Sequence, residues 1–469
     1  MFEKAKDFIR HVISKMFPKK DIEDALGIEI PINTEMMNAI DRWKQMYHDS
    51  PPWKTKKVQS QNIPAEVASE IARLVTLEFQ SEVTGVKDEE KREVKESSKA
   101  EYLNEQYQNA IKDIRIQTEY ACALGGLVFK PYLEGDNIAV DFVQADSFVP
   151  VKFDSSGNIT AIIFLDRIRK GDKIYTRLEY HDLLREGYYI INMAFCNETG
   201  DDTLGYRIPL QSVEEWADLE DEAFLPEVDK QLFAYFKIPK ANTIDTKSPL
   251  GISVYENATE LIKEADKLYS LALWEYGASR KRIHVDREMI RNQEIELEDI
   301  YVAVDGEEGF IKEYSPEIRD TSIFNGLNKL LQKIEFNCGL AYGTISDVQL
   351  VEKTAEEIKT SKQRTFSTVQ DIQDSLKDAL IDLVRAMDIW ATLDKKGLDG
   401  EYEISFDFDD SLAMDRETEL DMMFRDVASQ LIKPELYIMA AYGVEEEQAK
   451  KMMPNMADAM GEGEDDGFE

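Results

Sequence analysis

The stretch TAEEIKTSKQRTFSTVQDIQDSLKDALIDLVRAMDIWATL, residues 354–393, opens on Thr354-Ala-Glu-Glu357. That is a capping box, in which the Thr and Glu side chains satisfy exposed backbone N–H groups at a helix start. Behind it Phe366, Val369, Leu376, Leu380, Leu383, Met387 and Trp390 keep a three–four alternation, the mark of one apolar helical face. A continuous helix of this length measures roughly 60 Å at 1.5 Å per residue. It is longer than an average globular helix and suits a spine crossing a large assembly.

Immediately upstream, Gly339–Lys353 separates this helix from another, Thr321–Cys338, whose stripe is Ile323, Leu327, Leu330, Leu331, Ile334 and Cys338. Before that, Ser279–Asp320 reads as short strands and charged turns, entered through Arg280-Lys281-Arg282. A further helix runs from a second capping box, Ser253-Val-Tyr-Glu256, to about Gly277. Its apolar face is Leu261, Ala265, Leu268, Tyr269, Ala272 and Tyr276, with Lys263, Glu264 and Lys267 elsewhere around it. Downstream, residues 401–469 hold 5 Lys and Arg against 20 Asp and Glu. They close on the acidic tail Gly461–Glu469, too polar to bury and read as disordered.

The first half mixes helices and strands. Asn33–His48, Ile63–Val83 and Glu101–Leu127 read as helices, the first stopped by Asp49-Ser-Pro-Pro52. Asp88–Lys99 is a solvated charge run. After Gly125-Gly126 come strands at 127–133, 138–143, 159–165, 173–180, 188–195 and 233–238, punctuated by Glu134-Gly-Asp-Asn137 and Asp154-Ser-Ser-Gly-Asn158. The fold class is α+β, with a mainly antiparallel sheet.

Composition narrows the function. The chain has 469 residues, enough for several structural units, and carries 56 Lys and Arg against 93 Asp and Glu, a net charge of −37. Proteins that grip DNA from outside show a basic face, because phosphate neutralisation supplies most of the affinity. Charges interrupt every apolar run from Met1 to Phe17, which is unlike a signal peptide. The longest apolar stretch, Tyr120–Phe129, is about half of a bilayer span, so no membrane role is expected. Cys122, Cys196 and Cys338 are far apart and read as reduced, buried thiols of a protein assembled in a cytoplasm. Four scattered histidines (His11, His48, His181, His284) lack metal spacing, and no GxxxxGK[ST] loop is present. No enzyme activity, cofactor or metal is expected.

The order of mixed domain, helix, small strand insert, returning helix, glycine-flanked break and very long helix resembles the portal proteins of long-tailed phages of Gram-positive bacteria. The local stretches that carry the resemblance are Ile40-Asp-Arg-Trp43 with Tyr47 and Pro52-Trp53; Ala123-Leu-Gly-Gly-Leu-Val-Phe-Lys-Pro-Tyr132; Val143-Gln-Ala-Asp-Ser-Phe-Val-Pro150; Ser248-Pro-Leu-Gly-Ile-Ser-Val-Tyr-Glu-Asn-Ala258; Lys353-Thr-Ala-Glu-Glu-Ile358; and Lys433-Pro-Glu-Leu through Tyr442-Gly-Val-Glu-Glu-Glu-Gln-Ala449. Together they span roughly Asn33 to Met460. The resemblance implies a wing in residues 1–247, a stem helix in 248–278, a small α/β clip in 279–320 and a second stem helix in 321–338. It further implies a tunnel loop in 339–353, a long wing helix and strand in 354–410, and a crown with acidic tail in 411–469.

By the same resemblance the chain assembles as a closed ring of twelve copies at one capsid vertex of the virion, built in the host bacterial cytoplasm. Its implied partners are the terminase large subunit, a head-tail adaptor, the major capsid and scaffolding proteins, and double-stranded DNA passing through without sequence specificity. Leu261, Leu268 and Ala272 are then subunit-packing residues, and Thr344, Ser346, Asp347, Val348, Gln349 and Val351 face DNA in the tunnel loop. Lys263, Lys267, Arg280, Lys281 and Arg282 are the basic residues of stem and clip.

Each feature also has a plainer reading. Acidity suits a channel to which DNA must not stick, and equally suits solubility. Residues 343–351 fit a channel loop or an ordinary helix–helix connection. Arg280-Lys281-Arg282 fits phosphate contact, a neighbouring subunit's acids or a helix C-terminus complemented by positive charge. Phe406-Asp-Phe-Asp-Asp410 offers Asp407, Asp409 and Asp410 as carboxylates of a metal-dependent nucleic-acid enzyme, but alternation of Phe and Asp is also what a half-buried strand shows. The strand is the preferred reading, and His284 in Arg282-Ile-His-Val285 is likewise read as a strand residue. A non-DNA structural adaptor using the same helices is the other alternative.

Overall fold

The structure is a computed structural model that describes residues 19–86, 95–198, 203–279, 282–286, 301–304, 311–314, 319–347, 355–394, 396–408, 416–429, 431–444 and 446–453. The chain divides into two units, 1–408 and 409–469. In chain order the helices are α1 (Lys19–Leu26), α2 (Thr34–Tyr47), α3 (Ile63–Val75), α4 (Ser98–Ile111), α5 (Ile114–Leu124), α6 (Thr259–Ala278), α7 (Asp320–Cys338), α8 (Ala355–Leu393), α9 (Arg416–Ala428), α10 (Pro434–Tyr442) and α11 (Glu446–Met452). The strands are β1 (Gln80–Gly85), β2 (Gly126–Glu134), β3 (Asn137–Gln144), β4 (Phe148–Phe153), β5 (Ile159–Lys170), β6 (Lys173–Leu184), β7 (Gly187–Glu198), β8 (Tyr206–Ile208), β9 (Glu222–Leu225), β10 (Ala234–Lys237), β11 (Arg282–Asp286), β12 (Tyr301–Val304), β13 (Ile311–Tyr314) and β14 (Tyr402–Asp407). The fold is α+β, as the sequence indicates.

The strands after Gly125 form where turn chemistry permits. Glu134 pairs with Asn137 across the two-residue turn between β2 and β3. The Asp154 carboxylate accepts the Ser156 and Asn158 amides at 2.8 and 2.9 Å, closing the turn between β4 and β5. The larger sheet runs β4-β5-β6-β7-β8 with β9 also on β7, and a second runs β10-β2-β3. Helix α8 lies on β10 and β2. It buries Val369, Ile372, Leu376, Leu380, Leu383, Val384 and Met387, so the long apolar stripe faces the core. Ser375 Oγ on this helix donates to the Lys237 carbonyl of β10 at 2.5 Å.

Four local expectations are corrected. The helix expected over Ile63–Val83 stops at Val75: Glu78 takes a left-handed φ of 52° and the chain turns into β1. Val83 there pairs with Ile404 of β14, a partner more than 300 residues away that no helical periodicity foresees. The helix expected over Glu101–Leu127 is two helices, parted at Lys112-Asp113. Gly125 closes the second at φ 87°, and a Cβ there would stand 2.6 Å from the Gly251 carbonyl oxygen. That close approach needs glycine. Strand β4 stands in a stretch given no strand from its pattern.

The Ser253–Glu256 capping box is not made. A 3-10 turn covers Glu256–Ala258 and α6 begins at Thr259. Ser253 Oγ donates to the Cys122 carbonyl at 3.4 Å and accepts the Tyr255 amide at 3.3 Å. The Glu256 carboxylate instead reaches α2, accepting two bonds from Arg42 at 2.9 and 2.8 Å and another from the Trp43 indole N–H. A guanidinium and a buried indole are stronger partners for a carboxylate than one backbone amide.

Helices α6 and α7 are antiparallel, with Asn257 beside Asn337, Leu268 over Gly326 and Glu275 paired with Arg319. In the chain between them, β11 is the centre of a three-stranded sheet, parallel to β12 and antiparallel to β13. His284 is a residue of β11, as read from the sequence. In the second unit, Gly443 at φ 63° caps α10, and Phe424 meets Tyr437 edge-on at 5.8 Å. The capping box at Thr354 and the tail at 461–469 lie outside the described residues, as does most of the 88–99 charge run.

Candidate functional site

Two parts of the first unit carry features that the packing of the subunit does not use up: the α6/α7 hairpin and the segment after it. At its start α6 is tied down by polar contacts. Asp266, 1% exposed, accepts the Trp53 indole N–H at 2.8 Å and the Gln61 amide at 2.9 Å. Burial pushes its carboxyl above the ordinary range, and these two bonds draw it back. Ser270 Oγ accepts the Gln59 amide at 2.8 Å. The strap of residues 53–61 is thereby fastened along one side of α6.

The other end of α6 differs. Leu271, Leu273, Trp274 and Tyr276 are 41%, 39%, 65% and 43% exposed. At about 100° per residue, Leu271 and Trp274 share one flank of the helix and Leu273 with Tyr276 the opposite one, roughly 160° away. Of the expected packing residues, Ala272 is buried, while Leu261 and Leu268 are half-buried. Leu268 lies against α7 at Gly326. Sequence reading missed Leu271, Leu273 and Trp274, because the 3.6-residue stripe catches one helix face and these flank it. Lys263 and Lys267 are half-neutralised within the helix itself, paired with Glu260 at 3.0 Å and Glu264 at 2.7 Å.

Helix α7 ends on a glycine cap. Gly339, at φ 83°, donates to the Glu335 and Phe336 carbonyls, and Thr368 of α8 leaves no room there for a Cβ. Residues 341–347 then fold back against α7. The buried Glu335 carboxylate accepts the amides of Ile345 (2.7 Å), Ser346 (2.8 Å) and Gly343 (3.3 Å) and the Ser346 hydroxyl (2.9 Å). Asn328 Oδ1 accepts the Asp347 amide at 2.7 Å, and Ser361 Oγ of α8 accepts the Tyr342 amide at 2.8 Å. Ser346 is thus buried with its hydroxyl turned inward, Thr344 is half-buried and Asp347 exposed. Val348, Gln349 and Val351 lie outside the described residues, as do Arg280, Lys281 and the Arg282 side chain. Glu335 and Asn328 were not foreseen: a single Glu or Asn in a helix reads as a solvated position unless the returning chain is known.

Asp407 is exposed at the end of β14, opposite Gln80, while Phe406 and Phe408 stack at 6.5 Å and Phe79 meets Phe408 at 4.9 Å. That is the half-buried strand preferred from the sequence. Asp409 and Asp410 lie outside the described residues. Among the described residues no group of His, Cys, Asp and Glu is arranged to hold a metal ion, and no helix is long and apolar enough to cross a membrane. Cys122, Cys196 and Cys338 are free and buried, as expected.

The first unit also holds two adjoining cavities, of about 460 and 530 Å³, that meet at Lys44 and Asp146. Their charges are largely internal pairs: Lys44 with Asp146, Lys130 with Glu179 at 2.7 Å and Arg177 with Glu179 at 3.1 Å. The neighbouring imidazole of His181 is buried between the Tyr188 hydroxyl (2.9 Å) and Glu179 (2.8 Å). These groups are mostly satisfied within the chain, with Arg177 Nε left without a partner.

Compared with known proteins, residues 35–460 match the family described as phage portal protein, SPP1 Gp6-like. No curated protein matches the chain.

Proposed function

The chain belongs to the phage portal protein family, SPP1 Gp6-like, and on that premise we propose that it forms a closed ring conducting double-stranded DNA into and out of the capsid. Membership carries the role of a portal subunit, a structural rather than an enzymatic part of the virion. The observation that supports a ring is the pair of apolar flanks on α6. A subunit that presents two different apolar strips at one height, on opposite sides, is built for a head-to-tail contact with a neighbour on each side, and such contacts form a ring where the rotation between copies closes. Twelve copies, a clip at β11–β13 that docks the terminase large subunit and then the head-tail adaptor, and wing or crown contacts with the major capsid and scaffolding proteins complete the reading.

In this reading the segment after α7 reaches the channel. Thr344 and Asp347 are its exposed or half-exposed polar residues, and Val348, Gln349 and Val351 continue it; Ser346 serves the fold. Lys263 and Lys267, already paired with glutamates, add little attraction for phosphate. The net charge of −37 keeps the duplex from adhering, since each phosphate contact steepens the salt dependence of binding by about one unit of log K per log salt.

The test is Asp347→Lys with Gln349→Lys. Rings and proheads are expected to form, with DNA packaging slowed or stalled in a salt-dependent way. Normal packaging at low and high salt refutes the channel assignment. Electron micrographs of purified protein showing compact monomers without a central hole refute the ring.

A further inference from the structure

A fully buried carboxylate is costly unless hydrogen bonds replace its water. Glu335 has no solvent exposure, and its replacement for water comes from the chain that follows the helix: Ile345 and Ser346 amides on Oε1, Gly343 amide and Ser346 hydroxyl on Oε2. Asn328 stands seven residues earlier, on the same face of α7, and grips Asp347 from both sides. Its Oδ1 accepts the Asp347 amide at 2.7 Å and its Nδ2 donates to the Asp347 carbonyl at 3.5 Å. Residues 343–347 are therefore held chiefly by side chains of α7. Gly339 sets the sharp return, and the only fit there is a residue without a Cβ, because Thr368 Oγ1 would stand 2.5 Å away.

We propose that Glu335, seconded by Asn328, is the positioning residue that locks the root of the channel segment to stem helix α7, so that the helix and residues 343–347 behave as one rigid body. The proposal rests on the channel reading above and adds its mechanical anchor. Glu335 Oε1 and the Asn328 amide oxygen fix three successive backbone amides, 345 to 347, while Glu335 Oε2 holds the Gly343 amide and the Ser346 hydroxyl. That is enough to fix the direction in which the chain leaves Asp347. Any rotation of α7 then carries the exposed Asp347 with it. Without the anchor, the same residues keep their composition but lose their aim.

Glu335→Gln keeps the shape of the side chain and replaces one acceptor oxygen by a donor that faces the Gly343 amide. Amide hydrogen exchange is measured on purified rings by mass spectrometry. Residues 343–347 of the wild type are expected to exchange as slowly as the middle of α7. In Glu335→Gln they exchange at least about tenfold faster, the loss of one hydrogen bond to a charged group, while α7 itself and the mass of the ring stay unchanged. DNA packaged per prohead falls several-fold. Asn328→Ala is expected to loosen residue 347 alone and to reduce packaging less.

Three results overturn the proposal. If α7 loosens together with 343–347, Glu335 serves only the fold. If 343–347 keep their protection, the bonds do not hold them. If they loosen and packaging stays normal, their placement does not matter to DNA. The Asp347→Lys, Gln349→Lys pair separates this from the channel reading. Stalling there with normal packaging in Glu335→Gln removes the anchor alone, whereas normal packaging in both removes the channel assignment.

Discussion

On the ring reading, Trp274 gives the most direct measure of how much of a subunit contact is built into one chain. Its side chain is 65% exposed on α6. An indole offers up to about 250 Å² for burial, so the neighbour has roughly 150 Å² of it left to cover. At about 25 cal/mol per Å² this is worth about 4 kcal/mol per interface, and about 2 kcal/mol after ordering costs are discounted by half. Trp274→Ser therefore weakens each subunit contact by about thirtyfold at the lower figure. The isolated subunit loses little, because the indole is largely in water there already. Sedimentation velocity across a hundredfold dilution reads the effect: wild-type rings persist where the variant falls to monomers, while thermal melting of the monomer is unchanged within a degree or two. Rings of equal stability in both proteins refute the assignment of this flank to the subunit contact, and a variant monomer that melts much earlier shows that Trp274 packs within its own chain.

Glu256→Ala is expected to cost about 2–4 kcal/mol, because Trp43, 0% exposed, keeps a buried indole N–H without its acceptor and Arg42 loses both bonds; a urea midpoint shows it, and Glu256→Gln costs less. Burial holds the His181 imidazole below its ordinary range against the opposing pull of Glu179. The unfolded chain then takes up the proton first, so this contribution is complete above pH about 6.5 and is lost as pH falls below it. Melting curves at pH 7.5 and 5.5 are expected to converge in His181→Gln relative to wild type, and an unchanged gap removes His181 as the source.

How far the sequence reveals this fold depends on where each residue finds its partner. The β2–β3 hairpin and the turn at Asp154 are legible because their determinants are two to four residues apart. The long helix α8 is legible because its stripe, Phe366 to Trp390, repeats over about seven turns. Glu256 is misread because its partners, Arg42 and Trp43, are over 200 residues away, and a Ser-x-x-Glu spacing is a good capping box wherever such partners are missing. Val83 is misread for the same reason: Ile404 turns an apolar position of a helical pattern into a strand residue. At the candidate site the sequence marks the place, through Gly339 and Gly343, but not the anchor. A lone Glu335 between Ile334 and Phe336 reads as a charge bound for water until the chain returns over it.

Along α6 polar contacts dominate the first part and exposed apolar side chains the last turns, where Glu275 alone keeps an ion pair within the chain, with Arg319, and the bias has a physical sense. From Glu256 to Ser270 the helix and its approach are held by hydrogen bonds to Arg42, Trp43, Trp53, Gln59 and Gln61, all within the subunit. Such bonds are directional and costly to break singly, so they specify how α6 leaves the rest of the chain before any neighbour is present. From Leu271 to Tyr276 the helix instead offers apolar area to two sides. That attraction is non-directional and needs only complementary surface, so it suits a contact repeated around a ring by copies already folded. Had the order been reversed, with polar latches between subunits and apolar surface inside, each latch left unmade in a free monomer would simply be hydrated, and nothing would favour closure. Glu256 serves the fold of the single chain and Trp274, on the ring reading, the contact with a neighbour, which is why the two are expected to fail in different assays.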